Sequence, residues 1–143
     1  MTSPAPSPTL PTLDDPSDRP IGEAMLRGTK GRCPACGQGR IFAGYLSVRD
    51  RCPSCAEELH HHRADDGPAY ITILIVSHIA APLLLAIYTI YRPSTGVLIA
   101  SFLGGAILSS LILLPLIKGA WVGFQWAKRM HGFGGAEDRP VES

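Results

Sequence analysis

Two stretches without a single formal charge dominate the chain: residues 69–91, AYITILIVSHIAAPLLLAIYTIY, and residues 97–117, separated only by RPSTG. Each reaches the ~20 apolar residues needed to cross hydrocarbon. The pattern therefore predicts two transmembrane helices, and so short a link predicts an antiparallel hairpin with both ends on one side. Upstream the pattern changes. Residues 40–48, RIFAGYLSV, place β-branched and aromatic side chains around Gly44 and predict two short strands with a bend. Residues 21–27 predict a helical turn, while the Pro-, Ser- and Thr-rich first twenty residues and the residues after Gly134 read as disordered tails. The N-terminal stretch shows no apolar run of the kind a secretory signal needs.

Cationic residues orient the hairpin. Arg49, Arg51 and Arg63 precede it and Lys118, Lys128 and Arg129 follow it, against only Arg92 in the turn. The positive-inside rule then predicts a multi-pass protein with both termini in the cytoplasm. Trp121 and Trp126, with Lys128 and Arg129, are expected to form an interfacial anchor where the second helix leaves the bilayer.

Chemistry enters with four cysteines in two pairs, Cys33-Pro-Ala-Cys36 and Cys52-Pro-Ser-Cys55. A pair two residues apart lets one turn aim both thiolates at one ion, and two such turns complete a tetrahedral four-sulfur shell. The segment is too short to fold on a buried core, so metal is expected to supply the stability. Zinc is the expected ion, with iron as the alternative that the same ligands accept. Reducing conditions in the cytoplasm favour bound metal over disulfides. A closed shell has no open position for substrate, which points to a structural site rather than an enzyme. Gly37 is suited to the turn after Cys36, whereas Ala56 in the equivalent place is expected to loosen the second knuckle. Lys30, Arg32, Arg40, Arg49 and Arg51 are expected to offset the negative shell.

Further candidates are histidines and aspartates. His60, His61 and His62 precede Asp65 and Asp66, a grouping with second-metal or proton-site chemistry, although the aspartates also suit the start of a helix with Pro68 in its first turn. His78 falls about 15 Å beyond Pro68, near mid-bilayer, where an ionisable group is a functional candidate. The structural reading gives it a hydrogen bond to Ser101, Ser109, Ser110 or another helix. Small residues at four-residue spacing, Ser101, Gly105 and Ser109 beside Gly96, Ala100 and Gly104, suit close packing on the first helix, a homodimer or another integral membrane protein. Net charge is only +1, so nucleic acid is not expected as a partner.

These readings divide the chain into a tail at 1–22, a zinc-ribbon-like cytoplasmic module at 23–62, a cap and first membrane helix at 63–92, a turn at 93–96, a second helix at 97–120, an interfacial segment at 121–133 and a tail at 134–143. The fold class is a membrane α-helical hairpin with an N-terminal zinc-ribbon-like β knuckle. The combination of AMLRG, RCPACGQGRIFAGYLSVRDRCPSC, ADDGPAYITILIVSH and KGAWVGFQWAKRMHGF resembles the bacterial domain of unknown function 983 family from about Ala24 to Phe133. That resemblance aligns the four cysteines with the family's pairs, and Asp65, Asp66, Gly67, Pro68, His78 and His131 with its motif positions. It implies a small inner-membrane protein with an accessory role in respiratory complex biogenesis. The rival classes are a metal-handling or thiol-redox factor and a subunit of a larger membrane complex.

Overall fold

The computed structural model describes residues 19–63 and 66–133, so the expected tails before residue 19 and after residue 133, and Asp65, lie outside the described residues. Three α-helices follow one another: α1 Ile21–Thr29, α2 Gly67–Tyr91 and α3 Thr95–Ala127, with a 3-10 turn at Met130–Gly132. The first runs two residues past the expected turn at 21–27, and Glu23 and Arg27 pair one helical turn apart along it.

Helices α2 and α3 form the hairpin. Arg92 closes α2 in the left-handed region (φ 45°, ψ 53°), its N–H donating to the Tyr88 carbonyl at 3.2 Å. Ser94 is extended and leads into α3. The open ends are tied by Gln125: the Arg63 N–H donates to its Oε1 at 3.0 Å, and its Nε2 donates back to the Arg63 carbonyl. Within the most apolar windows of the two helices only 6% and 0% of residues are buried by protein. A soluble core helix would be covered. Apolar surface on all sides of both helices is what a bilayer solvates.

The second helix does not stop where the apolar run stops. At 33 residues it is about 50 Å long, longer than a bilayer core requires, and it continues unbroken past the expected end at residue 120. Its last turns bury Gly119, Val122, Gly123, Gln125, Trp126 and Ala127. The cover is α1. A Cβ on Gly28 would overlap the Gly119 carbonyl, a Cβ on Gly119 would overlap the Gly28 carbonyl, and a Cβ on Gly123 would overlap the Ala24 carbonyl. Three glycines thus let the two backbones touch, which no larger residue would permit.

Between α1 and α2 no β-strand forms among the described residues. The expected strands are reduced to three isolated antiparallel bridges, Arg32 with Arg40, Phe42 with Val48 and Arg51 with Glu58. Each leg turns away into a cysteine knuckle or the Gly44 bend after one paired residue, so no ladder propagates. The backbone is still satisfied, with Ile41 N–H on Gly31 O at 3.0 Å and Arg49 N–H on Ile41 O at 2.7 Å. Cys33, Ile41, Cys52 and Leu59 of this module are buried together with Ala24, Trp126 and Phe133. The expected zinc-ribbon β knuckle is thus present only as a cysteine-bearing loop module, which shares one small core with α1 and the end of α3.

Candidate metal centre

The two knuckles repeat one backbone device. Gly37 N–H donates to Cys33 O at 2.8 Å, and Ala56 N–H donates to Cys52 O at 3.0 Å. Both donors sit at positive φ, 70° for Gly37 and 59° for Ala56. The second knuckle is therefore not looser as expected. Ala56 is held in the same turn and bears the cost of a side chain there.

The turns bring the thiols together from both sides. Cys33 Sγ lies 3.7 Å from Cys55 Sγ, Cys36 Sγ lies 3.7 Å from Cys52 Sγ, and all four sulfurs fall within 4.8 Å of one another. A disulfide would need about 2.05 Å. A tetrahedron with metal–sulfur bonds near 2.3 Å has edges of about 3.8 Å, so the donor set fits a four-thiolate zinc or iron ion. Gly39 makes this approach possible, since a Cβ there would run into Cys52 Sγ. Its N–H and that of Gln38 draw the Cys36 thiol down to about 6, while burial pushes the Cys33 and Cys55 thiols up. The Ser54 N–H adds a bond to Cys52 Sγ at 3.4 Å. Exposure is uneven, with Cys33 and Cys52 buried and Cys55 open to solvent.

The cation that meets the first knuckle is one the sequence reading passed over. Arg27, in the last turn of α1, donates from Nη1 to the carbonyls of Pro34 at 3.1 Å and Ala35 at 3.2 Å. Its spacing from Glu23 was the available signal. Of the five expected cations, Arg51 is paired with Glu58 at 3.0 Å, and Lys30, Arg32 and Arg40 line a separate cleft. Glu57 links the second knuckle to the helices, its carbonyl accepting from Cys52 N–H at 2.9 Å and its carboxylate from Trp126 Nε1 at 2.9 Å. Arg19 stacks 4.2 Å over the same indole and donates to the Trp126 carbonyl at 2.9 Å. Trp126 is only 8% exposed, so this expected anchor faces protein rather than lipid. Trp121 is half-buried beside Phe124 and Gly67, and Lys128 and Arg129 are exposed.

The histidines divide. Glu58, His60 and His61 place one ligand atom each within 4.8 Å of one another, and the His61 hydrogen bond at 3.3 Å holds the Glu58 carboxyl below the usual range. That contact is retained above the ordinary carboxylate range and lost as pH falls through the lowered value. His62 Nδ1 instead contacts the Leu59 carbonyl at 2.8 Å. His131 sits at φ 53° in the 3-10 turn, its buried Nδ1 without a hydrogen-bond partner among the described residues. Asp66 precedes α2 without a side-chain cap. His78 Nδ1 contacts the Leu74 carbonyl of its own helix at 2.8 Å rather than a serine of α3. Ser101, Gly105 and Ser109 line an open apolar groove of 300 Å³ between the helices. The glycines at 96, 104 and 105 have open space where a Cβ would stand. The small-residue stripe therefore does not serve close packing within the hairpin.

No curated protein and no solved structure matches the chain. A family model, described as Protein of unknown function (DUF983), matches residues 42–126. The match takes in the second cysteine pair, both apolar helices and the end of α3, leaving Cys33, Cys36 and His131 outside it. With a match spanning more than half of its length, this chain with its two long apolar helices and clustered cysteines belongs to the DUF983 family of proteins of unknown function.

Proposed function

We propose that the protein is a non-enzymatic accessory factor of the bacterial inner membrane, with both termini cytoplasmic. In this reading a structural zinc ion held by Cys33, Cys36, Cys52 and Cys55 keeps the ribbon folded as an interaction or assembly module. The observation that carries it is the set of 3.7 Å sulfur separations, the edge length of a filled tetrathiolate shell. A closed shell supplies folding energy and no substrate position. The zinc would hold together two knuckles that have almost no core of their own, and through Glu57 and Arg27 it would set the ribbon against α1 and α3. A second copy or another integral protein would seat on the open small-residue stripe of α3. Kinship suggests the assembly of respiratory oxidases as the process served.

Elemental analysis of the detergent-purified protein beside Cys33→Ser and Cys52→Ser tests the metal. One tightly held zinc per chain, lost together with thermal stability in both variants, is expected; iron or no metal would sink the assignment. Cross-linking in membranes tests the role, and recovery of oxidase subunits is the expected result.

A metal-handling or thiol-redox factor is the second reading, and the exposure of Cys55 favours it. Zinc that exchanges within minutes, or rapid alkylation of Cys55 in the loaded protein, would put that reading first.

A further inference from the structure

The loop at the tip of the ribbon lies along the membrane helix. Phe42 packs beside Gly119, where a Cβ would stand 3.5 Å from its ring. Lys118 Nζ donates to the Leu46 carbonyl at 2.6 Å, and the Tyr45 hydroxyl donates to the Leu111 carbonyl. Leu111 lies inside the charge-free run that ends at Ile117, about 9 Å along the helix from that end. The loop therefore descends from the headgroup level toward hydrocarbon.

Beside this loop opens a cleft of 530 Å³, lined by Lys30, Arg32, Gln38, Arg40 and Phe42 among others, with no carboxylate in its wall. Arg32 and Arg40 face each other across an antiparallel bridge, a like-charge placement that destabilises unless something lies between. Among the described residues none of the ion pairs involves Lys30, Arg32 or Arg40. Among the described residues the Arg32 side chain reaches only the Gly37 carbonyl, at 3.5 Å. The cation on the Pro34 and Ala35 carbonyls of the first knuckle is Arg27, outside this cluster.

We propose that this cleft binds the phosphate-bearing headgroup of an anionic phospholipid from the leaflet the ribbon faces. Two guanidinium forks and an ammonium match phosphate oxygens, and Gln38 offers further donors to a polar headgroup. Phe42 supplies an apolar flank toward the acyl chains. The depth of the neighbouring Tyr45 and Leu46 selects lipid over a soluble anion, since the cleft lies where headgroups are and its loop lies where chains begin.

The test is native mass spectrometry of the full-length, metal-loaded protein in nonionic detergent, titrated with short-chain phosphatidylglycerol, short-chain phosphatidylcholine or inorganic phosphate. Retention of phosphatidylglycerol in preference to phosphatidylcholine is expected, weakening by about 25-fold in Arg32→Gln/Arg40→Gln and unchanged in Arg49→Gln, outside the cleft. If the double variant loses its metal, Lys30→Gln carries the test with an expected weakening of about fivefold. Equal retention of phosphatidylcholine, saturation by inorganic phosphate alone, or unaltered phosphatidylglycerol binding in the variants overturns the proposal.

Discussion

Ala56 carries a positive φ that its counterpart Gly37 carries freely, so the two knuckles differ in strain rather than in shape. Ala56→Gly should stabilise the metal-loaded protein by about 1 kcal/mol, seen as a higher midpoint in thermal unfolding. Gly39→Ala should do the opposite. Its methyl would collide with Cys52 Sγ, and metal content measured after chelator challenge should fall well below that of wild type. During brief chelator treatment, while the module still keeps its fold, alkylation near neutral pH should label Cys36 before Cys33. Backbone N–H groups hold the Cys36 thiol at about 6, where the thiolate is abundant, while burial raises Cys33 and hides it. Mass mapping of partly modified protein checks the order. The clustering of the four cysteines was legible from spacing, because two pairs two residues apart leave little other geometry. The strain at Ala56 was not, since the type of residue says what is preferred and the turn imposes what is adopted.

At the scale of elements, the two apolar helices were legible, the first to within two residues, because absence of charge is a strong signal in a long window. The extension of α3 and its contact with α1 were hidden. Glycines at 28, 119 and 123 mean nothing singly, and only folding brings Gly28 onto Gly119. Gly119→Ala should therefore force α1 away from α3. We expect a loss of about 1–3 kcal/mol and faster proteolysis at residues 21–29. Another long-range pairing has a local cause. Pro115 lacks the N–H that would bond the Leu111 carbonyl, and the Tyr45 hydroxyl fills that vacancy from 66 residues away. Tyr45→Phe should cost about 1 kcal/mol, and the cost should vanish in a Pro115→Ala background, where the helix supplies its own donor. A double-mutant cycle on thermal stability measures the coupling. The expected strands failed for a reason of scale too: propensity in RIFAGYLSV was real, but knuckles and a bend left each leg one bridge long.

For the whole molecule, the ribbon lies early in the chain and its docking surface lies late. Ala24 and Gly28 rest on Gly123 and Gly119, Arg19 and Glu57 both hold Trp126, and Arg63 is tied to Gln125. During synthesis the cysteines emerge before either apolar helix, yet the surface against which their module rests is made only after both have been synthesised. The cysteines can gather early, but docking must wait for the end of α3. The seated module is thus a record that the hairpin has closed, and a chain whose second helix failed to return would leave α1 and Trp126 bare for quality-control proteases to find.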